Sequence, residues 1–108
     1  MRIAVLLCLA LFSYGQSVAA KDFYQIPLPE DAREFARLDN KFPAVLSYFS
    51  QQSEATLRDF YIQQLGQPNS VQSRYGREHL YFTLNGNQVR VLISSRDNWR
   101  QVDVMVQN

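Results

Sequence analysis

His79 is the only histidine of this 108-residue chain, and it is the first candidate for chemistry. A Ser/His/Asp site needs such a base within hydrogen-bond reach of a nucleophile, with a third group to orient it. Ser94 faces His79 across a predicted hairpin in one of two registers. A pair of this kind on a sheet face is typically an incidental polar contact, and nothing in the sequence supplies an oxyanion hole. A hydrolase that uses His79 is the weakest of three hypotheses, and we expect no enzyme activity.

Metal, cofactor and phosphate sites have even less support. The one cysteine, Cys8, lies in a predicted leader, so only carboxylates accompany His79, and no Asp or Glu pair has chelating spacing. Glu30, Asp31 and Glu34 fall in the first turns of a predicted helix, where acids interact favourably with the dipole. The four glycines are isolated and cannot form a phosphate-cradling loop. The sequence therefore predicts no catalytic, metal-binding or cofactor-binding residue.

Binding of another protein is the chemistry that the residue types favour. Several side chains of the predicted strands point away from the predicted core, and Trp, Tyr, Met and Arg are enriched at protein interfaces. We predict that this surface binds a partner through Tyr81, Arg90, Leu92, Trp99 and Met105. The alternative is that residues 21–40 fold over the same surface and cover it, because a lone monomer seldom exposes a contiguous apolar patch.

One amphipathic helix is expected to hold these strands in place. Residues 53–65 begin with Ser53, a residue that caps the first free N–H groups, and end before Gly66, which can adopt the left-handed conformation that closes a helix. Apolar residues recur at three- and four-residue steps and form one stripe, which predicts packing on a sheet. The stripe consists of Leu57, Phe60, Tyr61 and Leu65.

The chain after this helix has the alternation of antiparallel strands. Asn85-Gly86-Asn87 is a hairpin signal. A turn on Asn85-Gly86 sets Phe82 opposite Val89, and a turn on Gly86-Asn87 sets Phe82 opposite Val91. A further tight turn at residues 97–98 pairs β-branched residues across the next ladder, namely Ile93 with Val102, Val91 with Val104 and Val89 with Val106.

Two elements precede the helix. Pro29-Glu30-Asp31 resembles a helix start, with proline in the first position and acids in the first turn, and predicts a short helix that buries Leu28, Ala32, Phe35 and Leu38. Residues 44–50 are predicted to form a strand with bulky residues on both faces. The sum is an α+β fold, a two-layer sandwich of strand, helix and antiparallel β-meander with four to five strands and a short N-terminal helix.

Residues 42–107 resemble a family of small uncharacterised exported, periplasmic bacterial α+β domains. The resemblance rests on Phe42-Pro43-Ala44 before a strand, on Leu57-Arg58-Asp59-Phe60-Tyr61 leading to Gln64-Leu65-Gly66, and on the hairpin with alternating valines. It implies the fold of a Phe-Tyr helix followed by a β-meander, and it carries no functional residue across.

The first twenty residues have the composition of a secretory signal peptide. Arg2 precedes an apolar run over residues 3–12, and small and polar residues then lead to a cleavage site after Ala20. The run is shorter than the roughly 20 residues of a membrane span, so we expect no stable span after cleavage. Cleavage leaves a single domain over residues 21–108, without cysteine and with ten basic against ten acidic residues. This charge balance argues against a nucleic-acid binder.

These observations predict an exported, non-enzymatic interaction protein, periplasmic or secreted, whose partner is a protein of the cell envelope or a secreted protein. The first alternative is a small carrier that holds a lipid or another apolar molecule between helix and sheet. The hydrolase that uses His79 comes last.

Overall fold

The last strand of the chain pairs with the second, so the segment before the helix and the meander after it belong to one sheet. The computed structural model describes residues 23–108, so the predicted signal peptide lies outside the described residues. The six strands are antiparallel neighbours in the order β1-β2-β6-β5-β4-β3. In chain order the elements are β1 (Arg33–Leu38), β2 (Ala44–Ser50), α1 (Glu54–Leu65), β3 (Ser70–Arg74), β4 (Arg77–Leu84), β5 (Asn87–Ser95) and β6 (Arg100–Gln107).

Helix α1 has the two end signals that the sequence predicts. The Thr56 backbone N–H donates to Ser53 Oγ over 3.1 Å, and the Gly66 N–H donates to the Ile62 carbonyl over 2.9 Å at a φ of 96°. Leu57 and Tyr61 are fully buried. Phe60 and Leu65 are partly buried against the same core, so the predicted stripe is confirmed as the face that packs on the sheet.

The hairpin register is settled by local backbone chemistry. Asn85 and Gly86 have φ values of 54° and 84°, the two positive angles that a type I′ turn requires. Phe82 accordingly pairs with Val89, which is the first of the two predicted registers. The predicted β-branched ladder between β5 and β6 is confirmed pair for pair.

The core lies between the sheet and a layer formed by α1 and residues 23–28. Fully or almost fully buried apolar side chains come from β2, β4, β5 and β6 on one side and from this layer on the other. Tyr48 of β2 and Tyr61 of α1 meet inside it, and their hydroxyl oxygens are 2.9 Å apart in a buried hydrogen bond. One hydroxyl therefore donates and the other accepts, so each oxygen has a hydrogen-bond partner where water is excluded.

The predicted short N-terminal helix is wrong. Its start signal produces a single turn, in which the Ala32 N–H donates to the Pro29 carbonyl over 3.1 Å. The chain then extends as β1, which pairs with β2 and has an irregularity between Glu34 and Ala36. Phe35 and Leu38, predicted to be buried, are 49% and 50% exposed. The sheet therefore has six strands rather than four to five, because pairing with β2 outweighs a weak local helix preference.

Asp31 does not interact with a helix dipole as predicted. Its carboxylate instead holds the chain in place just before β1. Its carboxylate accepts from Ser50 Oγ at 2.9 and 3.0 Å, from the Gln51 N–H at 2.8 Å and from Gln52 Nε2 at 2.9 Å. Ser50 is buried, and its hydroxyl oxygen also accepts from the Gln52 N–H. One carboxylate thus joins the start of β1 to the end of β2.

Asp31→Ala is expected to lower the free energy of unfolding by about 1–3 kcal/mol, because it leaves the buried Ser50 hydroxyl without its acceptor. Urea unfolding followed by circular dichroism measures the change. Glu30→Ala is the matched control, since it removes a neighbouring exposed carboxylate and should cost no more than about 0.5 kcal/mol. Equal costs for the two variants would contradict the role assigned to Asp31.

Candidate partner-binding face

The sheet has a second face, turned away from α1, which we call the outer face. Side chains alternate along a strand, so the residues that precede and follow each core valine on its own strand point to this side, where the register brings them together. Most of them are half-buried. Their flanks pack against neighbouring side chains of the sheet, and their outer ends remain accessible to solvent. From β2 to β3 they are Val45, Ser47 and Phe49, then Gln101, Asp103 and Met105, then Arg90, Leu92 and Ser94, then Arg77, His79 and Tyr81, and finally Ser70, Gln72 and Arg74.

The N-terminal segment packs on the opposite side of the sheet. Phe23 and Ile26 are fully buried in the same core cluster as Leu57 and Val104. The Arg37 guanidinium, on the core side of β1, lies 5.8 Å from the Phe23 ring centroid. The alternative in which residues 21–40 cover the predicted docking surface is therefore wrong for Phe23, Ile26 and Leu28, which complete the core. Phe35 of β1 does lie at the edge of that surface, stacked on Phe49.

Four of the five predicted docking residues are neighbours on the outer face. Arg90 is opposite Met105 on one side and Tyr81 on the other. Its guanidinium lies 5.9 Å from the Tyr81 ring centroid, and Nη2 donates to Met105 Sδ over 3.6 Å. Leu92 occupies the adjacent row, between Asp103 and His79. The guanidinium of Arg90 thus contacts both an aromatic ring and a thioether, which fixes the position of its charge.

Trp99, the fifth, belongs to a separate aromatic cluster at one end of the face. The ring centroids of Phe35 and Phe49 are 4.4 Å apart in a stacked arrangement, and those of Phe49 and Trp99 are 4.2 Å apart. Phe35 and Trp99 remain 49% and 37% exposed. Sequence analysis missed Phe35 and Phe49 as members of this surface, although the bulk on both faces of residues 44–50 was the available signal.

Two clefts adjoin these groups. A cleft of about 680 Å³ is lined by the aromatic Phe49 and Trp99 together with polar residues of the β1 entrance, including Asp31, Arg33 and Gln51. A smaller one of about 300 Å³ lies beside Tyr81, Arg90 and Met105. Each places an apolar wall next to hydrogen-bonding groups, which is the composition of a binding surface.

The single carboxylate among the outer-face residues, Asp103, is engaged within the sheet. It accepts from Ser47 Oγ over 2.6 Å and from Gln101 Nε2 over 3.3 Å. Ser47 is itself buried. Asp103 therefore serves as an internal acceptor between β2 and β6 and does not neutralise the arginines of β3, β4 and β5.

His79 lies at the centre of those arginines. The pKa of His79 lies below its ordinary value. Loss of hydration is the largest cause, and the positive charges of Arg90, Arg74 and Arg77 lower the pKa further, whereas Glu78 raises it. The imidazole is therefore neutral near pH 7. Its Nδ1 atom is buried without a hydrogen-bond partner in the described part of the chain, and its ring lies nearly parallel to that of Tyr81 at 6.4 Å.

The register separates His79 from Ser94. Leu92 is directly opposite His79, and Ser94 is opposite Arg77. The nucleophile and base of the hydrolase hypothesis are therefore not cross-strand partners, which removes the geometry on which that hypothesis depended. Within residues 23–108, no three His, Cys, Asp or Glu side chains gather in a way that could hold a metal ion.

Over the same residues, the structure has no helix with the length and apolar character needed to cross a membrane. Comparison of the chain with protein-family models, with curated proteins and with solved structures finds no match in any of the three. The geometry of the outer face is therefore the basis for assigning function.

Proposed function

We propose that this protein is an exported, non-enzymatic binding protein that holds a protein of the cell envelope or a secreted protein against its outer face. Tyr81, Arg90, Leu92, Trp99 and Met105 make the contact. The proposal includes export by residues 1–20, cleavage after Ala20 and a periplasmic or secreted location. The observation that supports it best is a partly exposed surface of aromatic, Met and Arg side chains, which the helix and residues 23–28 leave open because both pack on the other face.

The residue types on this surface fit binding for a physical reason. Aromatic rings bury a large apolar area while few rotatable bonds become ordered, and Arg combines charge with a flat surface that stacks on rings. Here both are already positioned, since Arg90 rests on Tyr81 and Trp99 rests on Phe49. These side chains are therefore already ordered in the free protein, which lowers the entropic cost of binding a partner.

The two rival hypotheses gain no comparable support. A carrier of an apolar ligand needs space between α1 and the sheet, but the clefts that the structure describes lie at the β1 entrance, on the outer face and on the exterior of α1. The hydrolase needs a nucleophile beside His79, and the residue opposite it is Leu92.

A photo-crosslinking amino acid at position 92 tests the proposal in living cells of the native host. We expect a discrete protein adduct from position 92 and none from position 63, because Gln63 is exposed on the helix away from the outer face. The adduct is then identified by mass spectrometry. Equal labelling from the two positions would mean that the outer face has no dedicated partner.

Trp99→Ala is expected to reduce this adduct roughly tenfold or more, the size of effect seen when an aromatic anchor is removed from an interface. Phe42→Ala is the matched control: Phe42 is 39% exposed but packs on Tyr24 rather than on the aromatic cluster of the outer face. Circular dichroism and thermal unfolding check that both variants fold. An unfolded Trp99→Ala variant would show instead that this face is part of the core, and the proposal would fail.

A further inference from the structure

Two arginines at the β3–β4 turn form a like-charge pair. Arg74 and Arg77 are directly opposite each other on adjacent strands, and both lie on the outer face. Arg74 Nη2 donates to the neutral Gln72 side chain over 2.8 Å. Within residues 23–108 the acids that pair with arginine do so elsewhere, at Arg37 and Arg58. The charges of Arg74 and Arg77 are therefore not balanced by a carboxylate in the described chain.

Such an arrangement is unfavourable for the isolated protein, since like charges directly opposite on neighbouring strands destabilise a sheet. The arginine of β5 adds to the same positive field, because Arg90, Arg74 and Arg77 all act on His79 between them. Three cationic side chains thus surround a neutral imidazole whose Nδ1 has no partner in the described chain. A bound anion would relieve the repulsion and use donors that are already in place.

The turn between the two arginines adds an aromatic group. Tyr75 is 95% exposed and has a φ of 54°, followed by Gly76 at 72°. A bulky residue in the left-handed region is uncommon, and Asn or Gly would fit this turn with less strain. The fold therefore presents a tyrosine ring at the tip of the hairpin, beside the Arg74–Arg77 pair, where an incoming chain would meet it.

We infer that Arg74, Arg77 and Arg90 bind an acidic segment of the protein partner, with its Asp or Glu carboxylates accepting hydrogen bonds from the guanidinium groups. This inference rests on the proposed function and specifies the chemistry of the partner. Guanidinium groups suit carboxylates because their planar forks can donate two parallel hydrogen bonds to one carboxylate. The aromatic cluster at Trp99 then supplies the apolar contact of the same interface.

A protein segment fits this surface better than a lipid membrane or a nucleic acid. The outer-face positions that accompany the arginines on β3 and β5 include the polar Ser70, Gln72 and Ser94, so the patch lacks the continuous apolar face of a membrane-binding element. Residues 21–108 hold ten basic and ten acidic residues, whereas nucleic-acid binders carry an extended basic stripe. A short acidic stretch matches a patch of three charges.

A blocked ten-residue peptide of alternating Glu and Ser is the probe, titrated into the ¹⁵N-labelled protein in low salt. We expect saturable chemical-shift changes concentrated in residues 72–80 and 90–94. A peptide with Gln in place of Glu should produce none. Higher salt should weaken binding, because screening shortens the range of charge interactions at an exposed surface.

Arg74→Gln/Arg77→Gln is expected to weaken the peptide about tenfold, as loss of charge-assisted hydrogen bonds predicts. Lys41→Gln/Arg37→Gln makes the same change in net charge at two positions off the outer face, the loop after β1 and the core side of β1. It should weaken binding less than about twofold, since charges away from the contact contribute little. Equal losses in the two double variants would overturn the inference in favour of unspecific attraction.

Two further outcomes would overturn it as well. One is equal binding of the Gln peptide. The other is sedimentation of the protein with phosphatidylglycerol vesicles in the absence of saturable peptide binding, which would assign the arginines to a lipid surface. If the adduct at position 92 and its dependence on Trp99 persist while the peptide fails, the proposed function stands and the acidic segment is excluded. Absence of that adduct overturns both.

Discussion

Leu57→Ala is expected to lower the free energy of unfolding by about 2–5 kcal/mol, the range observed for truncation of a buried leucine. Leu57 is fully buried where α1 packs on the sheet, and it lies in the same core cluster as Leu80 and Val91. Alanine leaves a cavity between helix and strands that neither layer can close without moving. Urea unfolding followed by circular dichroism gives the change from the shift in midpoint at constant slope.

Gln63→Ala is the control for Leu57→Ala, because Gln63 is exposed on the other side of the same helix. We expect its effect to stay within about 0.5 kcal/mol, since alanine is a good helix former and no buried contact is lost. A cost below about 1 kcal/mol for Leu57→Ala would contradict the assignment of α1 as the cover of the core.

Stability is expected to fall steeply with pH above the ordinary tyrosine pKa of 10.0. Burial raises the pKa of both Tyr48 and Tyr61 above that value, and for Tyr48 the neighbouring Tyr61 raises it further. Both hydroxyls therefore keep their protons in the folded protein at a pH where the unfolded chain has lost them. Their contribution to stability is complete below pH 10 and is lost as the pH rises.

The expected slope from the two tyrosines approaches about −2.7 kcal/mol per pH unit well above pH 10, which is two groups at about 1.36 kcal/mol each. Urea unfolding at half-unit intervals between pH 9 and 11.5 measures it. Tyr48→Phe/Tyr61→Phe removes the hydrogen-bonded pair together and should abolish this part of the slope. Tyr61→Phe alone should remove about half of it. An unchanged slope in the double variant would show that other groups cause the alkaline loss.

The outer face combines two kinds of contact that suit one protein partner. Its β1–β2 end carries the aromatic cluster of Phe35, Phe49 and Trp99, and its β3–β5 end carries the three arginines. Aromatic anchors supply affinity through burial, whereas charges set orientation and the rate of encounter. We therefore expect variants at Trp99 to act mainly on the dissociation rate and variants at Arg77 to act on association and on its salt dependence.

Local chemistry is what the sequence alone specifies well in this protein. Ser53 and Gly66 mark the ends of α1, and Asn85-Gly86 fixes the register of a hairpin, because each signal acts over only a few residues of chain. The alternation of valines in β5 and β6 determines the core face of both strands, since a one-residue slip would expose every one of them. These features were predictable without knowledge of the rest of the fold.

Residues 29–38 show where local signals fail. A proline followed by two acids is a legitimate helix start, but the segment is short, and a short helix is marginal without tertiary support. A neighbouring strand with free hydrogen-bonding groups decided the outcome, and β1 forms along β2. Asp31 shows the same preference for a tertiary contact over a local one. Its carboxylate accepts hydrogen bonds from the end of β2 and does not cap a helix.

The outer face was predictable only in part, because the sequence reveals local alternation but not how distant strands pair. Alternation along single strands placed Tyr81, Arg90, Leu92 and Met105 on one side, so these residues could be named in advance. Grouping of Arg74 and Arg77 with Arg90, and of Phe35 with Phe49 and Trp99, depends on strand order and on how the hairpins pair. Sequence determined which side of each strand a residue occupies. Tertiary structure alone decided which residues from distant strands share a surface, and that residues 23–108 leave this surface uncovered.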